Sequence, residues 1–99
     1  MKIEIIKESE EVVLKVFGEI DGSNVDLFEA KMIEAVEERM PLVVDLSDLD
    51  YLSSAGLRVF LITSKRAKQN GFSMIVKNAN EDVMDIFTVT GFVKLLDIQ

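Results

Sequence analysis

Three times along this chain a short run of branched apolar residues gives way to a longer stretch with apolar residues at helical spacing. The runs are Val12-Val13-Leu14-Lys15-Val16-Phe17, Leu42-Val43-Val44-Asp45-Leu46 and Phe72 to Lys77. Residues of this kind fit a pleated surface. After the first run, Val25, Phe28, Met32, Ala35 and Val36 fall on one stripe of a helix extending to about Arg39, which Ser23 or Asn24 can cap. After the second, a helix is predicted from near Ala55-Gly56-Leu57 to about Asn70, closed by Gly71. After the third, Asn80 caps a helix with Glu81 and Asp82 in its first turn, and Gly91 ends it. Strands alternating with helices call for right-handed crossovers and parallel neighbours.

Another strand comes first. Ile3 and Ile5 alternate with Lys2 and Glu4, and the polar break Glu8-Ser9-Glu10-Glu11 is short enough for a hairpin. One sheet edge is therefore antiparallel. Gly18 to Gly22 reads as a turn, and Val93 to Ile98 as a short last strand or a terminal segment. Leu42 to Leu46 is nearly continuous in apolar residues, which predicts a strand covered on both faces. The expected fold is α/β: a mixed, mostly parallel sheet with an N-terminal antiparallel hairpin and three or four helices. A chain of 99 residues allows one domain, 1–99, with one modest core.

Composition narrows the function. There is no His and no Cys, so the usual general base, metal ligands and thiolate are all missing. Asp45, Asp48 and Asp50 suggest a Mg²⁺ or phosphoaspartyl site. Glu4 and Glu8 do not supply the acidic cluster such a receiver needs, so a solvated acidic turn is the better reading. The chain is not read as an enzyme, and no metal or cofactor is assigned to it. A net charge of −7 disfavours nucleic acid and anionic membrane surfaces and points to a protein partner and a monomer. No apolar run approaches the roughly 20 residues that span a bilayer, and the N-terminus is too short and charged for a signal peptide. A cytoplasmic location is expected.

The acidic stretch delivers Ser53 and Ser54 to the start of the second helix. One serine there would be an ordinary cap. Two in tandem, followed by the small residues Ala55 and Gly56, make a hydroxyl that another backbone can approach. The first helical N–H groups and the positive end of the helix dipole tolerate a phosphate at that place. On a helical wheel Leu57, Phe60, Leu61 and Ser64 should face the sheet. Val59 and Ile62 fall on the other side with Arg58 and Arg66, as an apolar patch rimmed by cations. Packing under neighbouring helices is the competing reading for Val59 and Ile62.

The segment Leu42 to Leu57 resembles the STAS domain of the anti-sigma factor antagonists. It has the apolar strand, the acidic turn, the aromatic-apolar pair Tyr51-Leu52, and a serine two residues before Gly56. Gly18-Glu19-Ile20-Asp21 and Phe87-Thr88-Val89-Thr90-Gly91-Phe92 extend the similarity over nearly the whole chain. The resemblance implies phosphorylation at Ser54, with Ser53 the second candidate because many members carry aspartate at its position. It implies that Asp21 lies near the phosphoserine. Asp21 reads equally well as a plain turn residue. The resemblance further implies a partner that is both anti-sigma factor and Mg-ATP-dependent serine kinase, and a phosphatase that reverses the modification. The alternative on the same fold is a non-switching scaffold or regulatory module.

Overall fold

A computed structural model describes residues 1–99. Strands β1 (Lys2–Lys7) and β2 (Val12–Ile20) form the antiparallel hairpin. Helix α1 (Val25–Val36) leads to β3 (Leu42–Leu52), α2 (Ser54–Gln69) to β4 (Met74–Lys77), and α3 (Glu81–Val89) to β5 (Asp97–Ile98) through one 3₁₀ turn at Phe92–Lys94. The strands lie in the order β1-β2-β3-β4-β5, with every pair after the hairpin parallel.

That order has a large consequence. Crossovers are right-handed, and an order that never reverses sends every crossover helix to the same face. The three helices accordingly form one layer. Phe60 of α2 sits between Phe28 of α1, at 5.4 Å between ring centroids, and Phe87 of α3, at 5.7 Å. Val12, Leu14, Val16, Leu42, Val44, Leu46, Met74 and Val76 meet this layer from the sheet and are buried. Val13, Val43 and Ile75, on the other face, are only half-buried. The expectation that Leu42 to Leu46 is covered on both faces is thus corrected: the strand alternates, because no helix crosses behind the sheet.

Strand β3 also corrects the acidic turn. Pairing with β2 continues through Asp48, Leu49, Tyr51 and Leu52, so Ser47 to Asp50 is strand. Register shifts between Lys15 and Phe17 and between Gly18 and Glu19 break the two-residue alternation, leaving Leu46, Leu49 and Leu52 as the buried positions. Gly18 takes φ +93° at the second shift, a conformation that favours glycine. Asp45, Asp48 and Asp50 are consequently strung along a strand instead of being gathered in a cup. Lys15 Nζ pairs with Asp48 at 3.2 Å, and no three acidic residues converge closely enough to hold a metal.

The helix ends agree with local chemistry. Asn80 Oδ1 accepts from Val83 N–H at 2.9 Å, and its Nδ2 donates to Leu49 O at 3.1 Å. Gly71 and Gly91 follow the ends of α2 and α3 with φ +84° and +81°. Helix α1 stops at Val36, before Arg39, and Asn24 occupies its N-cap position without capping. Its Oδ1 accepts from Asp21 N–H and its Nδ2 donates to Glu19 O. No helix is long and apolar enough to cross a membrane.

Candidate functional site

The structure gives Ser53 and Ser54 different work. Ser53 is the N-cap of α2, with extended backbone, and its Oγ accepts from Gly56 N–H at 3.2 Å. Ser54 is the first helical residue. It is exposed, and its hydroxyl has no hydrogen-bond partner in the chain. One serine closes the helix and the other faces water. Replacing Ser53 by alanine is expected to cost about 1 kcal/mol of stability. The same change at Ser54 is expected to stay within about 0.5 kcal/mol. Urea unfolding of the two variants checks this, and equal losses would refute the division.

The turn after β2 lies beside this helix start. Ser53 N–H donates to Ile20 O at 2.9 Å, and Ile20 pairs with Leu52. Residues 20–21 and 52–54 therefore leave their strands side by side. Asp21 also serves as a turn residue: its Oδ1 accepts from both the hydroxyl and the backbone N–H of Ser23. Those two donors hold its carboxyl below the usual carboxylate range, so it is ionised at neutral pH.

Gly56 corrects an expectation. It is buried, and a Cβ built there would lie 2.5 Å from Leu52 Cδ1 and 3.0 Å from Ile20 Cγ2. The residue is small because the sheet fills its space from below, so it offers no approach to an outside backbone. Ala55, by contrast, is exposed.

Val59 is the second correction. It is 4% exposed and belongs to the core. The buried stripe of α2 is Gly56, Leu57, Val59, Phe60, Thr63 and Ala67, whereas Leu61 and Ser64 are only half-buried. The wheel is rotated from the expected one because α2 packs against α1 as well as the sheet. Ile62 remains half-buried and Arg58 exposed. They line a shallow cleft of about 180 Å³ between α1 and α2, with Val25, Asp26 and Glu29 across from them and Ala55 at its edge. Ile62 and Glu29 continue into a second depression beside Lys65 and Arg66. A furrow thus runs from the neighbourhood of Ser54 along the α1–α2 seam, with an apolar floor and charges of both signs on its rims. The α1 side of it was missed from the sequence, although Asp26 and Glu29 flank the apolar stripe of that helix.

These observations define a class: a singly wound α/β domain that displays a free serine hydroxyl at a helix N-terminus, next to a helix–helix furrow. The chain belongs to the STAS domain family, whose model matches residues 2–99. It is 28% identical over 98 residues to the anti-sigma-B factor antagonist of Bacillus subtilis (strain 168), covering 99% of this chain and 90% of that protein. Its fold is similar to the anti-sigma factor antagonist SpoIIAA in its unphosphorylated form, with TM-score 0.81, 20% identity and coverage of 99% and 88% of the two chains. The Bacillus cell fate determinant SpoIIAA in its phosphorylated form gives TM-score 0.73 at 19% identity, covering 99% of this chain and 91% of that one.

Proposed function

We propose that this chain is an anti-sigma factor antagonist switched by phosphorylation of Ser54. Unphosphorylated, it binds an anti-sigma factor and so releases a sigma factor for transcription. That partner, acting as a serine kinase with Mg-ATP, phosphorylates Ser54 and ends the complex, and a serine phosphatase resets the cycle. The chain is ligand and substrate in this scheme and catalyses nothing. A kinase drawing on Mg-ATP works in the cytoplasm, which is the compartment the reading requires.

The observation that carries the reading is the free, exposed Ser54 hydroxyl on the first residue of α2, with the capping role held by Ser53. A phosphate there adds roughly −1.5 to −2 charges and meets the helix N-terminus, which the fold tolerates. The cost falls on the partner, which would have to desolvate the phosphate beside the carboxylate-bearing turn at Asp21. Relatives named anti-sigma factor antagonists support the same reading, as does a neighbour solved in both phosphorylation states. Arg58 and Ile62, along the furrow, are the proposed contacts for the anti-sigma factor. Asp21 and Ala55 form the neighbourhood of the modified serine.

The test is binding to the anti-sigma factor by calorimetry, with Mg-ATP added in a parallel assay. Ser54→Ala is expected to bind as the parent does and to resist phosphorylation. Ser54→Glu is expected to bind at least about tenfold more weakly. Incorporation of phosphate into Ser54→Ala at the parent's rate would sink the assignment. Unchanged affinity of Ser54→Glu would favour a non-switching scaffold.

A further inference from the structure

The sheet face opposite the helices has no covering element, and we propose that two copies of this chain pack through it with two-fold symmetry. Two rows of side chains cross this face in register. Ile6, Val13, Val43 and Ile75 form an apolar row over β1 to β4. Glu4, Lys15, Asp45 and Lys77 form the adjacent row, with signs −, +, −, +.

A face-to-face dimer with its two-fold axis along the strands, between β2 and β3, lays each row on its own reverse. Ile6 then meets Ile75 of the second copy, and Val13 meets Val43. In the charged row Glu4 meets Lys77 and Lys15 meets Asp45. A row of alternating sign with an even number of members is complementary to its own reverse, so all four positions meet opposite charge, with Glu4 and Lys15 also paired within the chain to Lys2 and Asp48, each at 3.2 Å.

The remaining charges agree. This face carries three lysines (Lys2, Lys15, Lys77) against five carboxylates (Glu4, Glu19, Asp45, Asp48, Asp97), a balance of −2 in a chain at −7. The rest of the surface, which carries the larger share of the negative charge, repels a second copy more strongly than this face does. Lys77 takes part in none of the chain's ion pairs. Asp45 spends one oxygen, Oδ1, on Ser47 N–H and Asn78 Nδ2, at 3.0 and 3.2 Å, and leaves Oδ2 open to a donor from outside. Four strands and about three rows of side chains make a face about 20 Å on a side. That is small for a specific interface, so the dimer is weak and forms with rising concentration. The proposal departs from the expectation of a monomer, which was drawn from total charge, because the charged row on this face alternates in sign. Ser54 lies in the helix layer and stays open in both copies.

Sedimentation velocity on the full chain, from about 10 μM to about 1 mM, tests the pairing. A concentration-dependent dimer is expected. Glu4→Lys and Lys77→Glu should each weaken it about tenfold, since each change puts like charges together at two symmetric places. The double variant E4K/K77E should return to within about threefold of the parent. Within one chain the two positions lie three strand spacings apart, about 14 Å, so rescue has to arise between copies. Ser54→Glu should leave the dimer unchanged, which separates this outcome from that of the switch. A chain monomeric throughout the range would overturn the proposal and give the face to a different protein. Single variants without effect, or a double variant no better than either single one, would overturn it as well.

Discussion

Phe60→Ala is expected to lose about 3–5 kcal/mol of folding stability, the largest effect of any single change considered for this domain. Phe60 is fully buried at the centre of the helix layer, between Phe28 and Phe87. Truncation removes the burial of a whole ring and two aromatic contacts, one tilted and one edge-on. It also leaves a void that three separate helices would have to close together. Domains of this size hold about 5–15 kcal/mol in total, so the variant sits near the edge of folding. The melting temperature should fall by about 15 °C or more. Val89, 86% exposed, supplies the control: Val89→Ala should change stability by less than about 0.5 kcal/mol. A loss below about 1.5 kcal/mol at Phe60 would mean that the ring is not what ties the helices together.

Gly56→Val should cost about 2–3 kcal/mol for the opposite reason, excess volume. The first added carbon already lies 2.5 Å from Leu52 Cδ1 and 3.0 Å from Ile20 Cγ2. Leu52 is 2% exposed and Ile20 fully buried, so neither has solvent to move into. Either the side chains leave their rotamers or α2 lifts off the sheet at its first turn. Better helix propensity offsets little of this, because valine is itself a poor helix former and the position is close to the N-terminus. Chemical denaturation gives the loss directly. The folded fraction of Gly56→Val should still accept phosphate at Ser54, since the hydroxyl lies outside the crowded contact. A variant as stable as the parent would show that the glycine answers to access and not to packing.

The parts of this molecule that were legible in its sequence are those decided locally. Asn80 needed only its own side chain and an N–H three residues on. Gly71 and Gly91 needed only the chain's turn at a helix end. The hairpin and the strand–helix alternation follow from short-range periodicity, and so does the position of Ser54 at a helix start. What was missed depends on partners distant in sequence. The bulges in β2–β3 pairing turned a Leu-x-x-Leu-x-x-Leu spacing into strand, and nothing within Ser47 to Asp50 announces them. Val59 was placed on the open side of α2 because a wheel cannot say where α1 docks. The uncovered sheet face follows from strand order, which no single segment encodes. Gly56 looked like a point of entry because its neighbours in sequence are small. Its neighbours in space, Ile20 and Leu52, are not.

The division of labour between Ser53 and Ser54 has a consequence for the lifetime of a signal. A phosphate on the capping hydroxyl would withdraw the acceptor that Gly56 N–H uses and loosen the start of α2. The modified pool would then open more often and reach proteases sooner, and every round of signalling would drain the supply of protein. With the cap held by Ser53, a phosphate on Ser54 would leave that hydrogen bond in place. In the proposed switch the modified population would then keep its fold through an inactive interval and could return to service without new synthesis.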